Sequence, residues 1–213
     1  FMHAVSLAMA ENDLCVMANA TATICTFQTA EIKSGQRIFS NSGDASMGYD
    51  LPAAIGACIA AGRRNTVCLA GDGSIMMNLQ ELQTIKHNAL PIKIFVINND
   101  GYISIKQTQN NFFEGRHCGD GRDSGVSTPD FVKVGEAFGI KSVKLTDPNK
   151  VDETIKAVLA ANEPVLCEVV VNPDYTFSPK LSARKLPDGT MVSPSLEDMF
   201  PFLDRDEFKR NMI

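Results

Sequence analysis

The stretch that decides the fold is Gly71–Asn99, GDGSIMMNLQELQTIKHNALPIKIFVINN. An apolar run, Thr66-Val67-Cys68-Leu69-Ala70, leads into it and stops at Gly71-Asp72-Gly73. A second run, Ile92-Lys93-Ile94-Phe95-Val96-Ile97, stops at Asn98-Asn99. Both read as buried strands. Between them Met76, Met77, Leu79, Leu82 and Ile85 recur at helical spacing, which predicts a strand, a turn, one crossover helix and a second parallel strand. The carboxyl ends of two parallel strands lie on the same sheet edge, so Asp72 and Asn99 become neighbours facing a crevice.

Two oxygen donors at one edge suit a hard divalent cation such as Mg2+, which takes about six oxygens from carboxylates, carbonyls, water and phosphates. Asp72 supplies charge and Asn99 a side-chain carbonyl. Gly101, with no side chain in the way, can turn its backbone carbonyl inward. Gly73 and Ser74 open the predicted helix, where backbone N–H groups and the helix dipole favour phosphate oxygens.

Gly-Asp-Gly followed at this distance by Asn-Asn resembles the diphosphate-binding signature of thiamine-diphosphate (ThDP) enzymes. The resemblance covers residues 1–171. It implies Asp72, Asn99 and Gly101 as Mg2+ ligands, and Ala20, Thr21, Gly71, Gly73, Ser74, Tyr102, Ile103 and Ser104 as further cofactor contacts. The segment Ser42–Gly48, within SNSGDASMGYDLPAAIGACIAAG, resembles the acetolactate-synthase-like branch of the family. There the Ala45 carbonyl would accept from the exocyclic amine of the aminopyrimidine, and Met47 would contact that ring and wedge between the two rings.

Around this centre the chain reads as alternating elements. Residues 2–10 suggest a helix, Leu14–Met17 a strand ending in the turn Ala18–Thr21, and Arg37–Phe39 a short strand. Pro52 suits the first turn of an alanine-rich helix. After Asn99 comes a short helix that should line the cofactor. Residues 110–128, polar and glycine-rich, suggest a mobile loop beside the site. Its own Gly119-Asp120-Gly121 has no apolar strand before it and reads as a turn, and His117-Cys118 suggests no metal site without further ligands. A helix over Asp130–Phe138 with Thr128 as cap, a strand Ile140–Leu145, a helix Val151–Ala161 and a strand Pro164–Val171 complete the pattern. The fold class expected is α/β, a three-layer α/β/α sandwich on a mostly parallel six-stranded sheet.

From Asn172 the pattern breaks, and the remainder holds five of the ten prolines. Residues 172–213 are expected to form an extension that packs on the domain over 1–171 or on a partner subunit, with a lid over the substrate entrance as the alternative, since Met199, Phe200, Phe202, Leu203 and Phe208 are too apolar to stay in water.

Composition narrows the function classes. A net charge of −5 with Lys and Arg scattered gives no basic face for nucleic acid. Six cysteines without a CxxC read as small buried hydrophobes, not as a metal cluster or disulfide framework. No apolar run approaches membrane-spanning length and no signal peptide is evident, so a cytoplasmic protein is expected. The opening Phe1-Met2 falls inside an apolar helical pattern and suggests a piece of something longer.

The resemblance implies an acetolactate-synthase-like enzyme. It would decarboxylate a 2-oxo acid, with pyruvate the expected donor, and ligate the resulting carbanion to a second carbonyl compound. Two departures bear on this. Ile105 stands where aldehyde-releasing decarboxylases of the family carry a glutamate, and Thr108 where biosynthetic acetolactate synthases carry a tryptophan. The glutamate that activates the pyrimidine belongs to a separate pyrimidine-binding domain, on the same or a neighbouring subunit of a homodimer or homotetramer. This chain alone is therefore expected to be inactive. The alternatives are a 2-oxo acid decarboxylase subunit, a catalytically silent cofactor-binding module, and a dinucleotide-binding oxidoreductase. Met76 at the third glycine position counts against the last.

Overall fold

The computed structural model describes residues 1–212 and divides into two compact units, one over Phe1–Tyr175 and one beginning at Thr176. In the first, α1 (Met2–Ala8), β1 (Leu14–Met17), α2 (Ala20–Thr29), β2 (Arg37–Ser40), α3 (Asp50–Ala60) and β3 (Thr66–Gly71) lead into α4 (Asp72–Ile75) and α5 (Glu81–His87). Then follow β4 (Ile92–Asn98), α6 (Ile103–Phe112), α7 (Phe131–Ala137), β5 (Lys141–Leu145), α8 (Val151–Leu159) and β6 (Val165–Val170). All six strands run parallel in the order β2-β1-β3-β4-β6-β5. This is the expected three-layer α/β architecture.

The apolar runs of the strands look continuous because both sheet faces are covered. Val67, Leu69, Phe95, Ile97, Val165, Cys167 and Val169 join one core, under α1, α2 and α8. Their alternate neighbours Cys68, Ala70, Ile94, Val96 and Leu166 join a second core, with Leu51, Ile85 and Phe131 from α3, α5 and α7. The period of two along each strand divides one sequence run between two cores. Four of the six cysteines are buried, and burial pushes the Cys15 and Cys167 thiols up to about 12. These four are inert apolar filling, as expected; Cys25 is half-buried and Cys118 exposed, against the reading of all six as buried hydrophobes.

Between β3 and β4 the structure departs from the single expected helix. α4 ends at Ile75, and the chain turns through Met77 N–H to Ser74 O (3.1 Å) and Asn78 N–H to Ile75 O (3.2 Å) before α5 begins. Met76 and Met77, expected on its buried face, are 40% and 51% exposed. The break has a local cause: the Asn78 side chain donates to the Gly48 carbonyl at 2.7 Å, and this fastens the turn to the loop before α3. The cap of α7 also differs. Asp130, not Thr128, receives the Lys133 N–H at 3.2 Å. The turn read at Ala18–Thr21 is the start of α2, with Ala20 at φ 44°.

The second unit holds a two-stranded antiparallel ribbon, β7 (Arg184–Lys185) and β8 (Met191–Val192), and a terminal helix, α9 (Arg205–Asn211). Asp204 caps α9 by accepting from Asp206 N and Glu207 N. Arg205 makes a two-pronged bond to Asp198 at 2.8 and 3.0 Å. The sequence, read as lacking periodicity here, hides both elements because they are two and seven residues long.

Candidate functional site

Three strand ends meet at the carboxyl edge where the topology switches direction, β1 leading to β2 on one side and β3 to β4 on the other. The register pairs Met17 with Leu69 and Gly71 with Ile97, so Asn19, Asp72 and Asn99 emerge side by side. They surround a cavity of about 310 Å³. Ala20, Thr21, Ala45, Met47, Gly71, Asp72, Gly73, Ser74, Asn99, Gly101, Tyr102, Ile103 and Ser104 all line it, together with Asn19 and Ile105. Every residue named from the sequence as a cofactor or metal contact is thus brought to one place, whereas Thr108 is not among the lining residues.

Asp72 is 2% exposed and pairs with no cation among the described residues. Its Oδ1 accepts from Gly73 N at 2.8 Å and its Oδ2 from Gly101 N at 3.0 Å. Burial pushes its carboxyl from the usual 3.8 up to about 6, and those backbone donors oppose the rise only in part. Asn99 is 8% exposed, and its Nδ2 points at the Thr21 hydroxyl at 3.4 Å. Its Oδ1 is buried and accepts no hydrogen bond among the described residues. Leaving an amide oxygen so costs about 1–3 kcal/mol unless something outside the chain takes it. A carboxylate, an orphaned amide oxygen and the Gly101 backbone around one cavity form a donor set that fits a hard cation.

The glycines reveal a second constraint. A Cβ on Gly73 would fall 2.2 Å from Tyr102 Cε1 and 3.3 Å from Met47 Cε. The close approach that requires glycine here is to the tyrosine ring and Met47. Ala45 sits at φ 53°, and its carbonyl accepts from Asn19 Nδ2 at 3.0 Å.

Sequence reasoning overlooked the group that joins these loops. Asp50, fully buried, accepts from the Ser74 hydroxyl at 2.6 Å and from Leu51 N at 2.8 Å, while Ser74 Oγ accepts from Gly48 N at 2.9 Å. The Ser74 side chain is occupied in tying α4 to α3, which leaves its backbone N–H, the group the sequence assigns to phosphate, to meet a ligand. Burial raises the Asp50 carboxyl, so its charge state also answers to this packing. An acid immediately before Leu-Pro at the head of an alanine-rich helix was the signal. Asn98 was overlooked as well. Its Oδ1 accepts from Asp100 N at 3.0 Å, and its Nδ2 donates to Glu168 Oε1 at 2.8 Å, which also meets Lys144 Nζ at 3.0 Å.

Comparison with known proteins accords with this geometry. The family model described as "Thiamine pyrophosphate enzyme, C-terminal TPP binding domain" matches residues 19–169. The probable acetolactate synthase large subunit of Methanococcus aeolicus is 34% identical over 177 residues, 82% of this chain and 28% of that protein. The acetolactate synthase isozyme 2 large subunit of Escherichia coli is 35% identical over 137 residues, 64% of this chain and 24% of that protein. This chain therefore spans about a quarter of the length of the relatives it matches. Among solved structures, a thiamine diphosphate-dependent 4-hydroxybenzoylformate decarboxylase of Rhodococcus jostii superposes with a TM-score of 0.70 at 23% identity, over 81% of this chain and 32% of that one. That likeness concerns the fold. Fold, site geometry and family match agree, and the chain belongs to the C-terminal, thiamine-pyrophosphate-binding domain family of thiamine pyrophosphate enzymes, in its acetolactate-synthase-like group.

Proposed function

We propose that the cavity holds ThDP through one Mg2+, and that the intact protein decarboxylates a 2-oxo acid, with pyruvate as the expected donor, and joins the fragment to a second carbonyl compound. The observation that carries this is the orphaned Asn99 Oδ1 beside the buried Asp72 carboxylate. Asp72, Asn99 and the Gly101 carbonyl would hold the cation. The Thr21 hydroxyl and the Ser74 N–H would take phosphate oxygens, while the Gly73 N–H, expected to do the same, is already held by Asp72 Oδ1. Met47, 37% exposed at the cavity wall, would wedge between the two rings and hold them bent, and the Ala45 carbonyl would orient the aminopyrimidine. The bound cofactor supplies an acidic ring carbon and an electron sink, and the protein supplies orientation and exclusion of water.

Two features favour ligation over simple aldehyde release. Ile105 lines the cavity, so that position offers no proton, and the curated relatives are themselves acetolactate synthases. Asp72 is the one carboxylic acid among the described residues that line the cavity. The acid that activates the pyrimidine must then come from a pyrimidine-binding domain, on the same chain or a neighbouring subunit. A cytoplasmic homodimer or homotetramer is the setting we infer; no helix among the described residues is long and apolar enough to cross a membrane.

Calorimetry of the intact protein with ThDP, with and without Mg2+, tests the reading. Binding is expected only with the metal, and tight Mg2+-independent binding of NAD instead would overturn it. Replacing Met47 with alanine should leave Mg2+-dependent ThDP affinity within about threefold and lower turnover of pyruvate by about tenfold or more, because a misaligned reacting pair loses effective molarity. An unchanged turnover number removes the wedge role from Met47.

A further inference from the structure

The second Gly-Asp-Gly, Gly119–Gly121, has no place in the cofactor cavity, yet Asp120 is only 4% exposed. Its carboxylate is held by the His117 ring Nδ1 and the Ser124 hydroxyl. Ser124 Oγ in turn accepts from the N–H groups of Asp120 and Gly121, both at 3.0 Å. This folds His117–Ser124 into a closed knot, whose outward contacts fall on Asp100–Tyr102 and on Gln109. The Asp120 carbonyl accepts from Tyr102 N at 2.7 Å, and Gly101 and Gly121 form an isolated antiparallel bridge. Arg122 reaches Asp100 with Nη2–Oδ1 at 3.0 Å and Nε–Oδ2 at 3.4 Å. At the loop's other end Gln109, on α6, binds the Cys118 backbone twice at 2.9 Å, accepting its N–H and donating to its carbonyl. The sequence suggests a mobile loop here; the structure has it fastened to Asp100, Gly101 and Tyr102.

We propose that the His117–Ser124 loop is a clasp that fixes the backbone of Asp100–Tyr102, and hence the Gly101 carbonyl, in the position a small cation requires, with Asp120 and Arg122 as positioning residues. The inference rests on the ThDP–Mg2+ reading of the cavity. The backbone it holds lies at positive φ, Asp100 at 60° and Gly101 at 138°, so any conformational cost falls on Asp100 and the freedom to move falls on the glycine. From the sheet side Asn98 holds the Asp100 N–H and Asp72 Oδ2 the Gly101 N–H, but neither touches Tyr102 or the Asp100 side chain. The clasp is the sole described tie on the Tyr102 N–H and on the Asp100 carboxylate. Mg2+ demands near-octahedral oxygens at about 2.0–2.1 Å, whereas Ca2+ accepts looser sets at about 2.3–2.6 Å. A carbonyl released from its clasp therefore penalises the smaller ion more.

The test uses the intact protein and the metal needed for half-maximal ThDP binding, read by calorimetry separately with Mg2+ and with Ca2+. In Asp120→Asn we expect the Mg2+ requirement to rise about tenfold or more and the Ca2+ requirement to change by less than about threefold, so that the preference for Mg2+ falls. Arg122→Gln, at an exposed side chain where folding is not at risk, should shift the preference in the same direction by a smaller factor, and Arg122→Lys should restore part of it. An Mg2+-to-Ca2+ ratio equal to wild type in Arg122→Gln, or equal losses with both metals in Asp120→Asn, overturns the clasp. Should wild type itself bind ThDP without any metal, the reading beneath it fails instead, and the two failures are distinguishable.

Discussion

Replacing Asp72 with asparagine is expected to weaken Mg2+-dependent ThDP binding at least about a hundredfold while leaving the metal-free melting temperature within a few degrees of wild type. Two effects on the fold oppose each other. Asparagine offers one acceptor where the carboxylate offers two, so either Gly73 N or Gly101 N faces an NH2 group, at about 1–3 kcal/mol. Removing a buried charge whose carboxyl stands at about 6 instead of 3.8 returns roughly 3 kcal/mol at neutral pH. The binding effect has no such offset, since on the proposed reading the cation loses the one carboxylate that the described residues place at the cavity. The same carboxyl sets a pH dependence. Between about 4 and about 6 the native, metal-free protein holds a proton there that the unfolded chain does not. Wild-type stability without metal should therefore rise as pH falls through this window, and in Asp72→Asn that component of the slope should vanish. Mg2+ must displace that proton, so wild-type metal affinity should drop about tenfold per pH unit below about 6. Chemical denaturation without metal and calorimetry with it, each at several pH values, read both effects. An asparagine variant that keeps metal-linked ThDP affinity would remove Asp72 from the site.

The wild-type sequence exposes this site to view because its residues are set by strand ends. Two apolar runs, each stopping at a polar tip and separated by one crossover, can place those tips on only one edge, and Asp72 and Asn99 follow without reference to the rest of the chain. The alternation between two cores is equally legible, since it needs only the strand period. What the sequence hides are interactions whose partners are far apart and individually ordinary. Asp50 reaches Ser74 across 24 positions and Asn78 reaches Gly48 across 30, and nothing in local propensity announces either bond. The Asn78 bond fixes a turn ahead of the crossover helix, so the periodicity argument over Met76–Ile85 holds for Leu82 and Ile85 on α5 and fails for Met76 and Met77. Asp120 misleads in a different way. A Gly-Asp-Gly without a strand before it does form a turn, but the turn's worth lies in what its carbonyl touches, and that contact is tertiary.

Gly101→Ala should be severely damaging, because it meets two penalties that cannot relax independently. The residue stands at φ 138°, where an L side chain is strained by about 1–3 kcal/mol. Its new Cβ would lie 2.3 Å from the Asp120 carbonyl oxygen and 3.0 Å from Gly121 Cα, both backbone atoms that no rotamer change can move. The loop from His117 to Ser124 would have to withdraw, breaking the Tyr102 N–H bond to Asp120 and with it the register of the Gly101–Gly121 bridge. We expect a destabilisation of about 2–4 kcal/mol, a fall in melting temperature of roughly 5–15 °C for a domain of this size. We also expect loss of Mg2+-dependent ThDP binding by about a hundredfold or more, measured at a temperature where the variant is still folded. Gly56→Ala is the matching control. It lies in α3 with nothing within 4 Å of the added carbon, and should gain about 0.5–1 kcal/mol of helix stability with cofactor affinity unchanged. If Gly101→Ala binds ThDP at the wild-type Mg2+ concentration, then neither the Gly101 carbonyl nor the packing behind it governs the cation. A variant that melts early yet binds normally once folded would assign Gly101 to folding alone.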